Sequence, residues 1–256
     1  MLRNRFGLGV MTILILMVGL SLSSCSKKEP AARQESADAT PALTPPAPDV
    51  VMTDDAGGMV PLPLVLPKPM FVGTPTNIEG VEHLAKPLGK ARDPFLAPAG
   101  VTNVALNKPV TSSVEEPIMG ELAWITDGDK EATDGSLVEL DPFTVHVTVD
   151  LEDSYEIFAV VAWHYHKNSR VYFDVIAQVS DDPDFIENVT TLFNNDIDNS
   201  SGQGVGEDMH YVETNEGKLI DAKGVKGRYV RLYSMGNNSN DQNHYLEVEV
   251  FGRPAQ

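Results

Sequence analysis

Cysteine is almost absent: the 256 residues contain one, Cys25. A lone thiol excludes any internal disulfide, so the fold rests on its core alone. Positive charge is also scarce, with 19 Lys and Arg against 37 Asp and Glu and a formal net charge of −18. Such a surface repels polyanions, which excludes a nucleic-acid partner. Tyrosine and tryptophan are missing before residue 100, where 13 of the 18 prolines lie. That change in composition sets a domain boundary near residue 100. Apolar runs are short as well: residues 11–22 fall below the about 20 needed to cross a bilayer.

What stands at the N-terminus is an export signal. Arg3 and Arg5 precede an uncharged apolar run and then small residues ending at Cys25, the layout of a secretory leader. The run "LSSC" at 22–25 resembles a bacterial lipobox, which implies cleavage after residue 24 and lipid attachment to Cys25. Loss of Arg3 and Arg5, with no acid in residues 1–24, takes the charge from −18 to near −20. Ser26 stands where an aspartate would favour inner-membrane retention. The expected location is the cell envelope, lipid-anchored, at the outer membrane.

Residues 25–60, "CSKKEPAARQESADATPALTPPAPDV…", hold few large apolar side chains and many Pro and Ala. They cannot bury enough surface to offset the entropy of ordering, and read as a disordered tether. Residues 61–100 carry Leu64, Val65, Leu66, Met70 and Phe71 among prolines that break any helix or strand period. An extended arm over the next domain and a plain linker are both open on these grounds.

From residue 101 the pattern is that of strands. "FTVHVTVDL" (143–151) alternates, "YEIFAVVAWHYH" (155–166) is β-branched and aromatic, and "RVYFDVIAQVS" (170–180), "RYVRLYSMG" (228–236) and "HYLEVEVFG" (244–252) repeat the theme. With polar connections and no amphipathic helix, this predicts an all-β sandwich large enough to need no disulfide.

Six segments then carry a resemblance: "NVALNKPVTSS" (103–113), "ITDGD" (125–129), "VTVDLEDSYEIFAVVAW" (147–163), "YFDVIAQVSDDPDF" (172–185), "GRYVRLYSMG" (227–236) and "HYLEVEVFG" (244–252). In this order and spacing, residues 101–256 resemble the discoidin, or factor V/VIII type C, domain. The resemblance implies a galactose-binding-like jelly-roll sandwich, a family that includes carbohydrate-binding modules. The chain departs from it where a tryptophan often follows the DGD loop ("TDGSLVEL" here), and in its long Asn-, Asp- and Gly-rich loop 194–218.

The same resemblance implies a structural Ca²⁺ at the DGD loop. Asp127 and Asp129 would give hard oxygen ligands, Thr133 and nearby carbonyls more, and Glu247 would reach in from the last strand. The bland alternative is a polar turn in which Asp127 bonds its own backbone. A catalytic carboxylate pair across a cleft is not offered by a tight turn.

In "WHYHKNSR" (163–170), Trp163, His164, His166, Asn168 and Arg170 offer the aromatic plane and polar donors of a sugar site. The competing reading places Trp163 in the core with the histidines packed at its rim. A zinc site would need a third ligand, and none is evident. Asp196, Asp198, Ser200 and Glu207 fall at EF-hand positions 1, 3, 5 and 12, but Ser201 replaces the required glycine, and a solvated loop is the simpler expectation. Arg228 and Arg231 are expected to pair with acids.

Taken together, these features predict a non-catalytic carbohydrate-binding lipoprotein, with a glycan or envelope polysaccharide as partner and the membrane reached through its lipid. The alternative is an adhesion or scaffold module that binds another envelope protein. Any enzyme associated with it would be a separate chain.

Overall fold

A computed structural model describes residues 58–76 and 78–255. The expected leader, Cys25 and the expected tether up to residue 57 lie outside the described residues; Met59 and Val60, also expected in the tether, instead stand in a short strand, Met59–Pro61. Among the described residues no helix is long and apolar enough to cross a membrane.

The β-branched runs form strands. They are β1 (Met59–Pro61), β2 (Leu96–Pro98), β3 (Thr102–Asn103), β4 (Val110–Ser112), β5 (Val138–Leu140), β6 (Val145–Trp163), β7 (Ile176–Ser180), β8 (Thr190–Asn194), β9 (Lys218–Ser234), β10 (Asn243–Tyr245) and β11 (Glu247–Pro254). One short 3-10 turn, Leu122–Thr126, precedes the DGD loop. The largest sheet runs β3-β11-β6-β9-β7-β8 with β4 also on β6, while β5–β10 and β1–β2 are separate ribbons. All pairings between these strands are antiparallel. The domain is the all-β sandwich that the alternation requires.

Two segments that alternate separately in the sequence join as one 19-residue strand, β6. Its register against β9 slips between Asp150 and Tyr155 and again between Ile157 and Ala159. Its first part pairs with β4 and the end of β9, and its second with β11 and the start of β9. The strand expected from residue 170 begins only at Ile176, because Asp174 takes a left-handed φ of 51° that breaks the extended chain.

Val145, Val147, Val149 and Leu151 of β6 turn into the main core with Val138, Leu140 and Tyr245 of the β5–β10 ribbon. A second core lies on the opposite face. There Ala159, Val161 and Trp163 of β6 and Phe251 of β11 pack with Leu62, Leu64, Phe95 and Ala97. The proline-rich stretch therefore lies against the sheet. It is tied by the Leu62 N–H to the Phe95 carbonyl (2.9 Å), the Ala85 N–H to the His210 carbonyl (2.8 Å) and the Asn215 carboxamide to the Pro67 carbonyl (3.1 Å). Burying three large side chains in this way is worth about 5 kcal/mol as an upper bound.

Arg228 makes the expected acid pair, a forked contact on Asp150 at 2.7 and 2.9 Å. Arg231 does not. It donates to Thr148 Oγ1 and the Pro183 carbonyl, with its guanidinium 4.0 Å from the Phe185 ring centroid.

Candidate functional site

The residues expected to form an open sugar rim separate into two groups. Trp163, His164 and His166 are all 0% exposed. The Trp163 indole N–H donates to the Asn215 carbonyl at 3.0 Å. His164 Nδ1 lies 3.1 Å from Glu213 Oε2, its ring stacked 4.4 Å from Tyr172. His166 Nε2 lies 3.0 Å from the Lys130 carbonyl. Each side chain thus fastens a different point of the loops to the end of β6, and none offers a face to a ligand. A sugar ring cannot stack on Trp163 in this arrangement, because Gly217 covers it. A Cβ at Gly217 would sit 2.7 to 2.8 Å from the indole, and its φ of +62° favours glycine in any case.

Asn168 is exposed and Arg170 half-buried. Arg170 lies 5.0 Å over the Tyr165 ring, and its Nη1 is 3.2 Å from His244 Nδ1. The Tyr172 hydroxyl is 3.0 Å from the same nitrogen, and His244 Nε2 is 3.3 Å from Glu139 Oε2. Nδ1 therefore accepts and Nε2–H donates, which fixes a neutral tautomer. Desolvation, with Arg170 and His164 adding to it, pushes the imidazole down to about 3.

Glu139 and His244 face each other across the β5–β10 ribbon, and the ribbon continues into two loops. Asn243 Nδ2 donates to the carbonyls of Asp141 (2.7 Å) and Phe143 (2.9 Å), and its Oδ1 accepts from the Gly236 N–H (2.8 Å). This single carboxamide holds the Phe143 turn beside the amide-rich loop 236–243. Phe143 is 52% exposed. In the sequence it shares the parity of the core residues Val145 and Val147, which hides it among them. The signal that sets it apart is the preceding Asp141-Pro142, which places it in a turn before the strand begins.

Of the four residues expected at the DGD loop, Asp127 and Glu247 accept from its backbone, while Asp129 and Thr133 meet through Ser136. Gly128, at φ +91°, donates its N–H to Glu247 Oε2 at 3.0 Å. Asp127 Oδ1 accepts the Asp129 N–H at 2.8 Å. Asp129 Oδ2 accepts from Ser136 Oγ at 2.7 Å, and Ser136 Oγ is 3.0 Å from Thr133 Oγ1. The polar turn and the reach of Glu247 thus coexist. Glu247 is 0% exposed, and its Oε1 has no hydrogen-bond partner. Desolvation, with repulsion from Glu249 and Asp127, pushes its carboxyl up to about 9 against the single Gly128 bond and a distant Lys130. Lys130 is committed to Glu249. Glu247 offers an idle oxygen of the hard kind a divalent cation takes, but the Asp127, Asp129 and Glu247 carboxylates do not all come within 4.8 Å of one another, so a cation here would have to draw them together.

A second acidic group differs from the EF-hand spacing. Asp174, Asp196 and Asp198 bring carboxylate oxygens within 4.8 Å of one another, whereas Glu207 stays exposed and outside the group. Ser200 Oγ donates to Asp174 Oδ2 at 2.6 Å, and the Ser200 N–H bonds Asp196 and Asp198, both at 3.0 Å. Desolvation and the two aspartates hold the Asp174 carboxyl above its usual range.

No protein-family model matches the chain, and neither does any curated protein. Solved structures do show a partial likeness. A family 89 glycoside hydrolase from Clostridium perfringens is similar at TM-score 0.43 and 20% identity over 60% of this chain, which spans 15% of the hydrolase. A CBM32 module produced by Clostridium perfringens, in complex with GlcNAc-α-1,4-galactose, gives TM-score 0.44 and 18% identity over 60% of this chain and 96% of its own. A Streptococcus pneumoniae fucose-binding module gives 0.40 and 19% over 58% and 96%. Likenesses at this level describe part of the backbone and assign no ligand to this chain.

Proposed function

We propose that the chain is a non-catalytic carbohydrate-binding lipoprotein of the cell envelope, anchored through lipid on Cys25, whose discoidin-like sandwich holds a glycan at its loop end. The observation that supports this best is the exposed Phe143 ring fixed by Asn243 beside the amide-rich loop 236–243. A sugar needs an aromatic face for its C–H groups and a few placed polar groups for its hydroxyls. Asn168 and Arg170 remain in this reading as polar contacts, while Trp163, His164 and His166 move to a supporting role. In the same reading Ca²⁺ sits at Asp127, Asp129, Thr133 and Glu247 and clasps the DGD loop to β11. Catalysis is set aside because the His164–Glu213 pair, which has the chemistry of an acid–base dyad, is sealed from solvent.

A glycan array probed with the full-length chain in detergent, with calcium and again with chelator, tests the reading. Binding of a defined sugar that is lost in Phe143→Ala supports it, and a folded chain that binds no glycan sinks it.

The alternative, a scaffold that binds another envelope protein, has one observation in its favour. Among the described residues, eight of the 16 exposed large apolar side chains lie between Met59 and Leu96, including Val65, Val72 and Leu88, more than ordinary surface scatter.

A further inference from the structure

A cleft of about 710 Å³ lies between residues 69–92 and residues 211–219, within the range of small-ligand sites, roughly 300–1,000 Å³. In a chain of net charge −18 its walls are basic: Lys86, Lys90, Arg92 and Lys218 line it, and among the described residues its single acidic lining residue is Glu216. That carboxylate is engaged, accepting the Arg92 backbone N–H at 3.1 and 3.2 Å, while the Arg92 guanidinium donates to the Glu216 and Gly217 carbonyls, both at 2.9 Å. Lys90 is paired with Asp93 at 2.8 Å. Lys86 and Lys218 have no hydrogen-bond or ion-pair partner among the described residues. Lys218 is half-buried and held by aromatic rings, its Nζ 4.3 Å from the Phe193 centroid and 4.9 Å from that of Tyr211. Burial pushes its ammonium down despite Asp208 and Glu213. Neither carboxylate reaches Lys218 as a contact ion pair, so a bound anion at contact distance would offset part of the cost of its burial.

The rest of the lining says which anion. Met70, Phe71 and Leu88 give the cleft apolar walls, which inorganic phosphate would not use. A peptide would seek a run of free backbone partners along a strand, but the lining turn, residues 214–217, has its backbone committed. The Gly217 and Glu216 carbonyls hold Arg92, the Gly217 N–H bonds the Thr214 carbonyl, and the Glu216 N–H bonds Thr214 Oγ1. We propose that this cleft binds an acidic saccharide, a short run of uronic acid residues. Lys86 and Lys218 meet its carboxylates, and Met70, Phe71 and Leu88 meet the C–H faces of its rings. The site uses none of the loop-end residues and goes beyond the reading given for them.

Calorimetric titration of the full-length chain in detergent, without added calcium, tests the assignment. The probes are a galacturonic acid trimer, its methyl ester and inorganic phosphate. The expected result is that the trimer binds, that the ester binds at least tenfold more weakly, and that phosphate does not compete at equal concentration. Lys86→Met with Lys218→Met, which keeps the stem packed on Phe193 and Tyr211, should weaken the trimer at least tenfold, and Phe143→Ala should leave it unchanged. Lys86→Met alone, at an exposed position, should weaken it about threefold with an unaltered melting temperature, so a folding defect at Lys218 would not hide the answer. The proposal is overturned if the trimer gives no heat, if the ester or phosphate matches it, or if the double variant binds like wild type. Loss of trimer binding in Phe143→Ala alone would assign the sugar to the loop end and overturn the cleft while sparing the loop-end reading.

Discussion

Two residues before β6 begins, Phe143 stands 52% exposed; where β6 ends, Trp163 is 0% exposed. Both are aromatic and both flank the same strand, yet their surroundings differ. Along the first part of β6 core residues alternate with half-exposed ones such as His146 and Asp150, while residues 159–163 are buried without interruption. The cause is chain that the strand's own pattern does not contain. Leu62, Leu64 and Phe95 cover the outer face of the second part only. Hence the aromatic residue that advertises itself in "WHYH" is core, and the one with a free face is the unremarked Phe143.

The broadest way to break this contrast is to remove the cover. Deleting residues 58–95 should leave Val161 and Trp163 facing water and destabilise the domain by about 5 kcal/mol, from three large apolar side chains at roughly 1.5–3 kcal/mol each, discounted for incomplete burial. Urea unfolding reads this directly, and an unchanged midpoint would show that the arm merely lies on a face that is stable without it. A narrower disturbance is Gly217→Ala. The new Cβ would meet the Trp163 indole at 2.7 Å with the backbone at φ +62°, so both strain and overpacking apply, about 2–4 kcal/mol together. Gly128→Ala in the DGD loop, at φ +91° with its nearest neighbour the flexible end of Leu106 at 3.3 Å, should cost about half as much. Equal losses at the two glycines would show that the close approach to Trp163 adds nothing.

Glu247 stands opposite Trp163 in the β11–β6 ladder, so the closed end of the strand also carries the buried carboxylate. Its carboxyl is raised from an ordinary 4.5 to about 9 by desolvation. A folded state that holds a proton the unfolded chain has released loses stability as pH rises. The loss runs from the unfolded value to about 9. Between pH 4.5 and 6.5 it is opposed by His244 and His146, lowered to about 3 and about 4, whose contribution is lost as pH falls. The clear window is therefore pH 6.5 to 9. In chelator, stability should decline there by on the order of 2 kcal/mol, and calcium should flatten the decline by taking the proton's place. Glu247→Gln should remove the calcium effect and most of the slope, the remainder coming from Glu249, which burial also raises. An undiminished slope in that variant would mean that Glu247 is not the titrating group.

Much of this was legible. Alternation placed Val145, Val147, Val149 and Leu151 on one face, and the all-β class followed. The reach of Glu247 to the DGD loop came from the resemblance rather than from spacing, since 119 residues separate Gly128 from Glu247. The fusion of two segments into β6 was hidden because the polar "EDS" interrupts the apolar pattern between them, whereas the strand absorbs it as a slip in register. The burial of Trp163 was hidden for a different reason. It depends on Gly217, more than 50 positions downstream, and on upstream residues such as Leu62 and Leu64 whose flanking prolines erase any period. The Asp174–Asp196–Asp198 group shows the same limit: the local EF-hand spacing pointed to Glu207, and the fold supplied Asp174 from another loop.

The smallest expected change in stability sits at the open end. Phe143→Ala removes a ring that is 52% exposed and precedes the strand, so the loss should stay within about 0.5 kcal/mol, the usual range for surface substitutions. The backbone carbonyl that Asn243 holds is retained by alanine, so the turn itself should persist. Binding should behave differently, because an aromatic face contributes its contact only when a ring lies on it. If the loop end is the sugar site, affinity for the array-identified glycan should fall at least tenfold while urea unfolding barely moves. Asn243→Ala should then reproduce the binding loss with a measurable cost in stability, since it releases both the Phe143 turn and Gly236. A loss in Asn243→Ala without one in Phe143→Ala would place recognition in the amide-rich loop and leave the ring as an ordinary exposed side chain.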